Sequence, residues 1–79
     1  MIFSSFEISA EEKINVQIEN HIKEAIEKGI LQKGDKLPST REISKVLNVS
    51  RNSVIIAYEN LENLGIIKSL RGKGTFVAT

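Results

Sequence analysis

The sequence predicts a mainly α domain of three helices closed by a small β-hairpin. Three observations predict it. Apolar residues recur at three- and four-residue steps in three separate stretches. Each stretch opens on a Ser and closes on a Gly or an Asn. The C-terminal part holds two short β-prone runs around a Gly-rich tip. At 79 residues, with 41% hydrophobic residues and no Trp, the chain reads as one domain over residues 1–79 with a core of Ile, Leu and Val. A chain this short buries only about 60–65% of its surface on folding.

The first helix is expected from about Ser9, or from a turn later, to Lys28. Ile14, Ile18, Ile22, Ala25 and Ile26 form its stripe, Ser9 to Glu12 fits a capping box, and Gly29 supplies the stop. Val16 falls off the stripe, which points to a second contact face or a partner surface. His21, beside the stripe, reads as a structural or surface residue rather than a ligand. Gln32 to Lys36 is a turn around Gly34-Asp35, and Leu37, held extended by Pro38, is a short strand or bridge. Ser39-Thr40-Arg41-Glu42 is a second capping box. It opens a helix ending near Leu47, with Ile43, Val46 and Leu47 inward and Asn48 in a tight turn. Ser50 caps a third helix, Arg51 to Leu64, whose buried face is Val54, Ala57, Tyr58, Leu61 and Leu64, with Gly65 as its stop. Ile66 to Leu70 and Thr75 to Ala78 make the hairpin, tipped by Arg71-Gly72-Lys73-Gly74. Phe76 is expected in the core, closing this hairpin on the first helix.

Composition excludes several functions. Without Cys there is no disulfide scaffold and no thiolate nucleophile, and one His builds no His-based metal cluster. No nucleophile–base pair can be assembled, so no catalytic residue, metal site or cofactor is assigned and the chain is not read as an enzyme. No apolar run is long enough to span a membrane. Met1 to Ser5 lacks the basic and apolar regions of a signal peptide, so a cytoplasmic location is expected. The net charge of +1 hides an asymmetry. Residues 1–32 carry three bases against six acids, net −3, and residues 33–79 carry eight bases against four acids, net +4. An acidic support joined to a basic working half suits a module that binds a polyanion.

The second and third helices, separated by Asn48-Val49-Ser50, have the spacing of a helix-turn-helix, and the basic hairpin makes it a winged one. The third helix then projects its first turn, Arg51, Asn52 and Ser53, whose side chains suit base edges and phosphates. Ser39 and Ser50 are caps whose phosphate contact would be additional. Tyr58 is half core, with a hydroxyl that can reach a phosphate. Arg71, Gly72 and Lys73 form the tip of the wing. The candidate DNA-binding residues are therefore Ser39, Thr40, Arg41, Ser50, Arg51, Asn52, Ser53, Tyr58, Arg71, Gly72 and Lys73.

Lys36 to Ser44, Val49 to Val54, Ala57-Tyr58, Leu61, Gly65 to Ile67 and Gly72 to Val77 together resemble the N-terminal DNA-binding domain of GntR-family bacterial transcription regulators. The likeness runs from about Ile14 to Val77, and the Ser-Arg-Asn-Ser-Val-x-x-Ala-Tyr run is most similar to the MocR-like and YtrA-like branches. The resemblance implies sequence-specific binding of double-stranded DNA at inverted half-sites. It implies contacts from Arg41 at the start of the second helix, from Ser50, Arg51, Asn52 and Ser53 in the major groove, and from Gly72 with Lys73 on the minor groove or backbone. It also implies an effector or oligomerisation domain absent from this chain, where pyridoxal phosphate would belong in a MocR-like parent. Some branches carry Arg where this sequence has Ile55, so no operator sequence is transferred. Ile2, Phe3, Phe6, Val16, Ile55 and Ile56 are left over from the helical stripes and are scattered. A homodimer is therefore expected only through the absent region or on DNA. The alternative from another class is a winged helix used for protein–protein assembly, which would show a conspicuous apolar patch and no basic tip.

Overall fold

The computed structural model describes residues 2, 3 and 5–79; Met1 and Ser4, part of the N-terminal stretch read above, lie outside the described residues. The first helix, α1, spans Ile14–Glu27 and buries Ile18, Ile22 and Ala25. It starts later than Ser9. The Ser9 hydroxyl accepts from the Glu11 N–H at 3.1 Å, a local turn, and Lys13 sits at the N-cap with no side-chain bond. Gln17 explains the shift. Its Oε1 accepts from the Ser9 N–H at 2.7 Å, and its Nε2 donates to the carbonyls of Ser9 and Glu12 at 2.8 Å each. A buried amide satisfied at both ends holds residues 9–12 as a bent lead-in, so they do not wind into the helix.

Three further elements precede the hairpin: β1 (Lys36–Leu37), α2 (Thr40–Leu47) and α3 (Arg51–Asn63). The capping box of α2 forms in full. Ser39 Oγ accepts from the Glu42 N–H at 3.1 Å, and the Glu42 carboxylate accepts from the Ser39 N–H at 3.0 Å. Asn48 ends α2 in the left-handed conformation at φ 56°, the turn residue that the motif requires. Ile43 is fully buried and Leu47 packs against the core. Val46 does not turn inward as expected and is 50% exposed, because it lies at the edge of the arc that faces α3. Leu64 likewise is 61% exposed: α3 ends at Asn63, and Leu64 is its C-cap rather than part of the packed face.

The hairpin strands are β2 (Ile67–Leu70) and β3 (Gly74–Val77), and the sheet order is β1-β3-β2, antiparallel throughout. Val77 points into the core, so by alternation Phe76 points away. Phe76 is half-buried on the outer face, in register with Lys36 on one side and Lys68 on the other, which corrects its expected place in the core. The N–H of Ser69, on the free side of β2, donates to the Glu62 carboxylate at 3.2 Å.

The N-terminal stretch is the other correction. Phe3 is fully buried in the core, and Ile2, Phe6 and Ile8 pack against it, so these are not spare apolar residues. The Phe6 ring stacks on His21 at 4.2 Å between centroids, and His21 Nε2 bonds the Ile2 carbonyl at 2.6 Å. Helices lined with Ile, Val and Ala leave volume that a Phe fills. On the opposite flank Glu19 accepts from Asn15 at 3.0 Å and from Asn60 at 2.9 Å, joining α1 to α3 through a buried carboxylate.

Candidate nucleic-acid interface

The order of the sheet decides where the polar groups meet. β3 runs away from the hairpin tip, so its antiparallel neighbour β1 runs toward it. Leu37 pairs with Thr75, which brings Pro38 level with Gly74 at the base of the tip. The chain then enters α2 at Ser39. The tip and the start of α2 therefore lie at the same end of the sheet.

The start of α3 joins them. Ser50 Oγ accepts from the Ser53 N–H at 3.2 Å and lies 3.0 Å from Ser53 Oγ, so both hydroxyls serve the cap. Arg51 reaches across to α2, its Nε donating to Thr40 Oγ1 at 3.4 Å. Arg41, Arg51 and Asn52 are exposed, as are Arg71, Gly72 and Lys73 at the tip. Gly72 has φ +76°, a conformation that suits Gly in so tight a turn. Among the described residues the one ion pair is Lys28–Glu24, far along α1, so none of these cations is tied to a carboxylate. Glu42 is the nearby acid, and its carboxylate is engaged at the cap. Bonds from the backbone N–H and then the side chain of Ser39, with the charge of Lys36, hold its pKa below the usual 4.5.

Ten of the eleven predicted site residues share this end. Tyr58 is different in kind. Its ring is buried and its hydroxyl donates to the Pro38 carbonyl, so the proton expected to meet a phosphate is spent within the fold. Burial first, then the charge of Glu42, pushes its pKa well above the usual phenol range. Tyr58 is a brace between α3 and the approach to α2. Lys36 heads the run that carries the family likeness but was assigned no contact, and its side chain lies across Gly74 at the base of the tip. The pairing of β1 with β3, which puts these two side by side, is long-range and leaves no local signal in the sequence.

The family model described as "Bacterial regulatory proteins, gntR family" matches residues 14–77. The chain belongs to the GntR family. Its architecture is that family's winged helix-turn-helix, and the relatives it matches are regulators of transcription rather than enzymes. The HTH-type transcriptional repressor YtrA of Bacillus subtilis is 47% identical over 62 residues, covering 78% of this chain and 48% of that protein. The chain thus spans about half the length of this GntR relative. The solved transcriptional antiterminator from Listeria monocytogenes superposes with a TM-score of 0.89 at 41% identity, covering 94% of this chain and 57% of that one. The DNA-binding domain of AraR, solved in complex with operator ORE1, superposes with a TM-score of 0.79 at 29% identity over 90% of this chain and 89% of that one. Among the described residues no helix is long and apolar enough to cross a membrane.

Proposed function

We propose that this GntR-family chain binds duplex DNA sequence-specifically, as the DNA-reading part of a cytoplasmic transcription regulator. The first turn of α3 enters the major groove. Arg51 and Asn52 read base edges there. Ser39, Thr40, Arg41, Ser50 and Ser53 place the backbone, aided by helix N–H groups at the starts of α2 and α3. Arg71, Gly72 and Lys73 take the adjacent minor groove or its phosphates. Tyr58 acts through the Pro38 carbonyl, as a positioning residue. The observation that carries the reading is the shared end: two capped helix starts and a basic tip converge there, and among the described residues their cations make no ion pair with a carboxylate.

The operator complex of the AraR domain lends the same reading support. Two copies are expected to pair on inverted half-sites, where DNA fixes their spacing, with a monomer in solution for residues 1–79. The test is the salt dependence of binding to duplex DNA. Lys68, exposed on β2 below the tip, adds its charge to Arg41, Arg51, Arg71 and Lys73, and five or so basic contacts give a log–log slope of roughly −3 to −5. Binding that does not respond to salt, or no binding at low salt, overturns the proposal.

A further inference from the structure

Lys36 pairs in register with Phe76, and both side chains lie on the outer face of the sheet. The next outward position on β3, one step nearer the tip, is Gly74. Gly74 has φ +122°, and a Cβ placed on it would stand 2.8 Å from Lys36 Cε and 3.6 Å from Nζ. The lysine stem therefore lies flat over β3, in space that any side chain at position 74 would take. This course sends the ammonium toward the tip end of the sheet. Its charge is felt there by Glu42, in the first turn of α2. No carboxylate lies within ion-pair distance of it, since Lys28–Glu24 is the one ion pair among the described residues. The ammonium stands between the base of the wing and the start of α2, oriented by packing rather than by a counter-charge.

We infer that Lys36 is a phosphate-binding residue that holds the DNA backbone where it passes from the recognition helix to the wing. The inference rests on the DNA-binding reading above and adds a contact that is not among the candidate residues read from the sequence. A phosphodiester oxygen needs only a positive point charge at the right place, which an ammonium supplies. A stem already packed on Gly74 has less conformational freedom to lose on binding than a free surface lysine. Because the contact is to phosphate, it adds affinity on any duplex and carries no sequence information.

The test uses the 79-residue chain and a short duplex of mixed sequence. Lys36→Met keeps the stem over Gly74 and removes the charge. The expected result is an unchanged melting temperature and a log–log salt slope shallower by about 0.9. Over a roughly fourfold rise in salt, the variant's disadvantage then shrinks by about 3.5-fold. Gly74→Ala must displace Lys36, so it loses the same step in the wild-type background and no further slope in the Lys36→Met background. If Gly74→Ala does not fold, Lys36→Met still decides. A steep wild-type slope that Lys36→Met leaves unaltered overturns this inference and spares DNA binding. A wild-type chain that does not bind duplex overturns both.

Discussion

Replacing Tyr58 with Phe removes one oxygen and leaves the ring in place. The hydroxyl is the donor to the Pro38 carbonyl, at the joint between β1 and α2. A hydrogen bond of this kind contributes about 0.5–1.5 kcal/mol net, and a buried carbonyl left alone costs up to about 3 kcal/mol. Pro38 is half-buried, so water recovers part of that loss, and we expect a cost of about 1–2 kcal/mol. In a domain of this size each kcal/mol moves the melting temperature by about 4–8 °C, so the variant should melt roughly 5–15 °C lower. The pH dependence gives a second reading of the same bond. The folded state holds the phenol protonated above its usual pKa of 10.0, while the unfolded chain releases the proton near that value. Unfolding thus releases a proton, and wild-type stability should fall as pH rises past 10.0, a loss that Tyr58→Phe lacks. Thermal melts at neutral and alkaline pH measure both effects. A Tyr58→Phe variant that melts like wild type but binds DNA more weakly would refute the brace and return the hydroxyl to a phosphate.

Ser39→Ala and Ser50→Ala should each destabilise by about 0.5–2 kcal/mol in thermal melts, because each removes the hydroxyl that accepts a first-turn N–H. The Glu42 carboxylate is held below its usual pKa by Ser39, so it stabilises the fold above that value and the contribution is lost as pH falls through the folded pKa. Acid titration followed by circular dichroism should show a shallower loss in Glu42→Gln. Arg51→Ala should lose about 1–3 kcal/mol of discrimination between cognate and scrambled duplexes, whereas Lys73→Ala should weaken both alike. Equal behaviour of the two on both probes would contradict the division between reading and placing. Phe3→Ala should cost about 3–5 kcal/mol, enough to unfold much of the chain at room temperature in a denaturant titration.

The helix-turn-helix was legible because its signals are local. Ser39 with Glu42, Asn48 and Ser50 are separated by fixed short steps, and each does in space what its position suggests. The signals that failed depend on distant partners. Ser9 to Glu12 has the letters of a capping box, but Gln17 takes its backbone groups and the helix takes the later of the two starts that the sequence allows. Phe3 has no periodic neighbours, so nothing in its surroundings marks it as core. Phe76 and Lys36 take their places from strand register, which the order of residues does not specify until β1 is laid beside β3. The polar residues gathered at the starts of α2 and α3 and at the tip were legible as a list. Their division into caps, a brace and free groups required the hydrogen bonds.

The bond from Ser69 to Glu62 bears on how the molecule behaves in a crowded solution. A three-stranded sheet has two open margins, and each offers unpaired amides on which a foreign strand can polymerise. Here β1 is only two residues long and runs straight into Pro38, which has no amide hydrogen. On the other margin the Glu62 carboxylate occupies the Ser69 amide and sets a negative charge in the path of an incoming chain. Both margins of the sheet are thus made poorer templates for a foreign strand by residues outside the DNA contact list, and neutralising Glu62 would remove the guard on one of them.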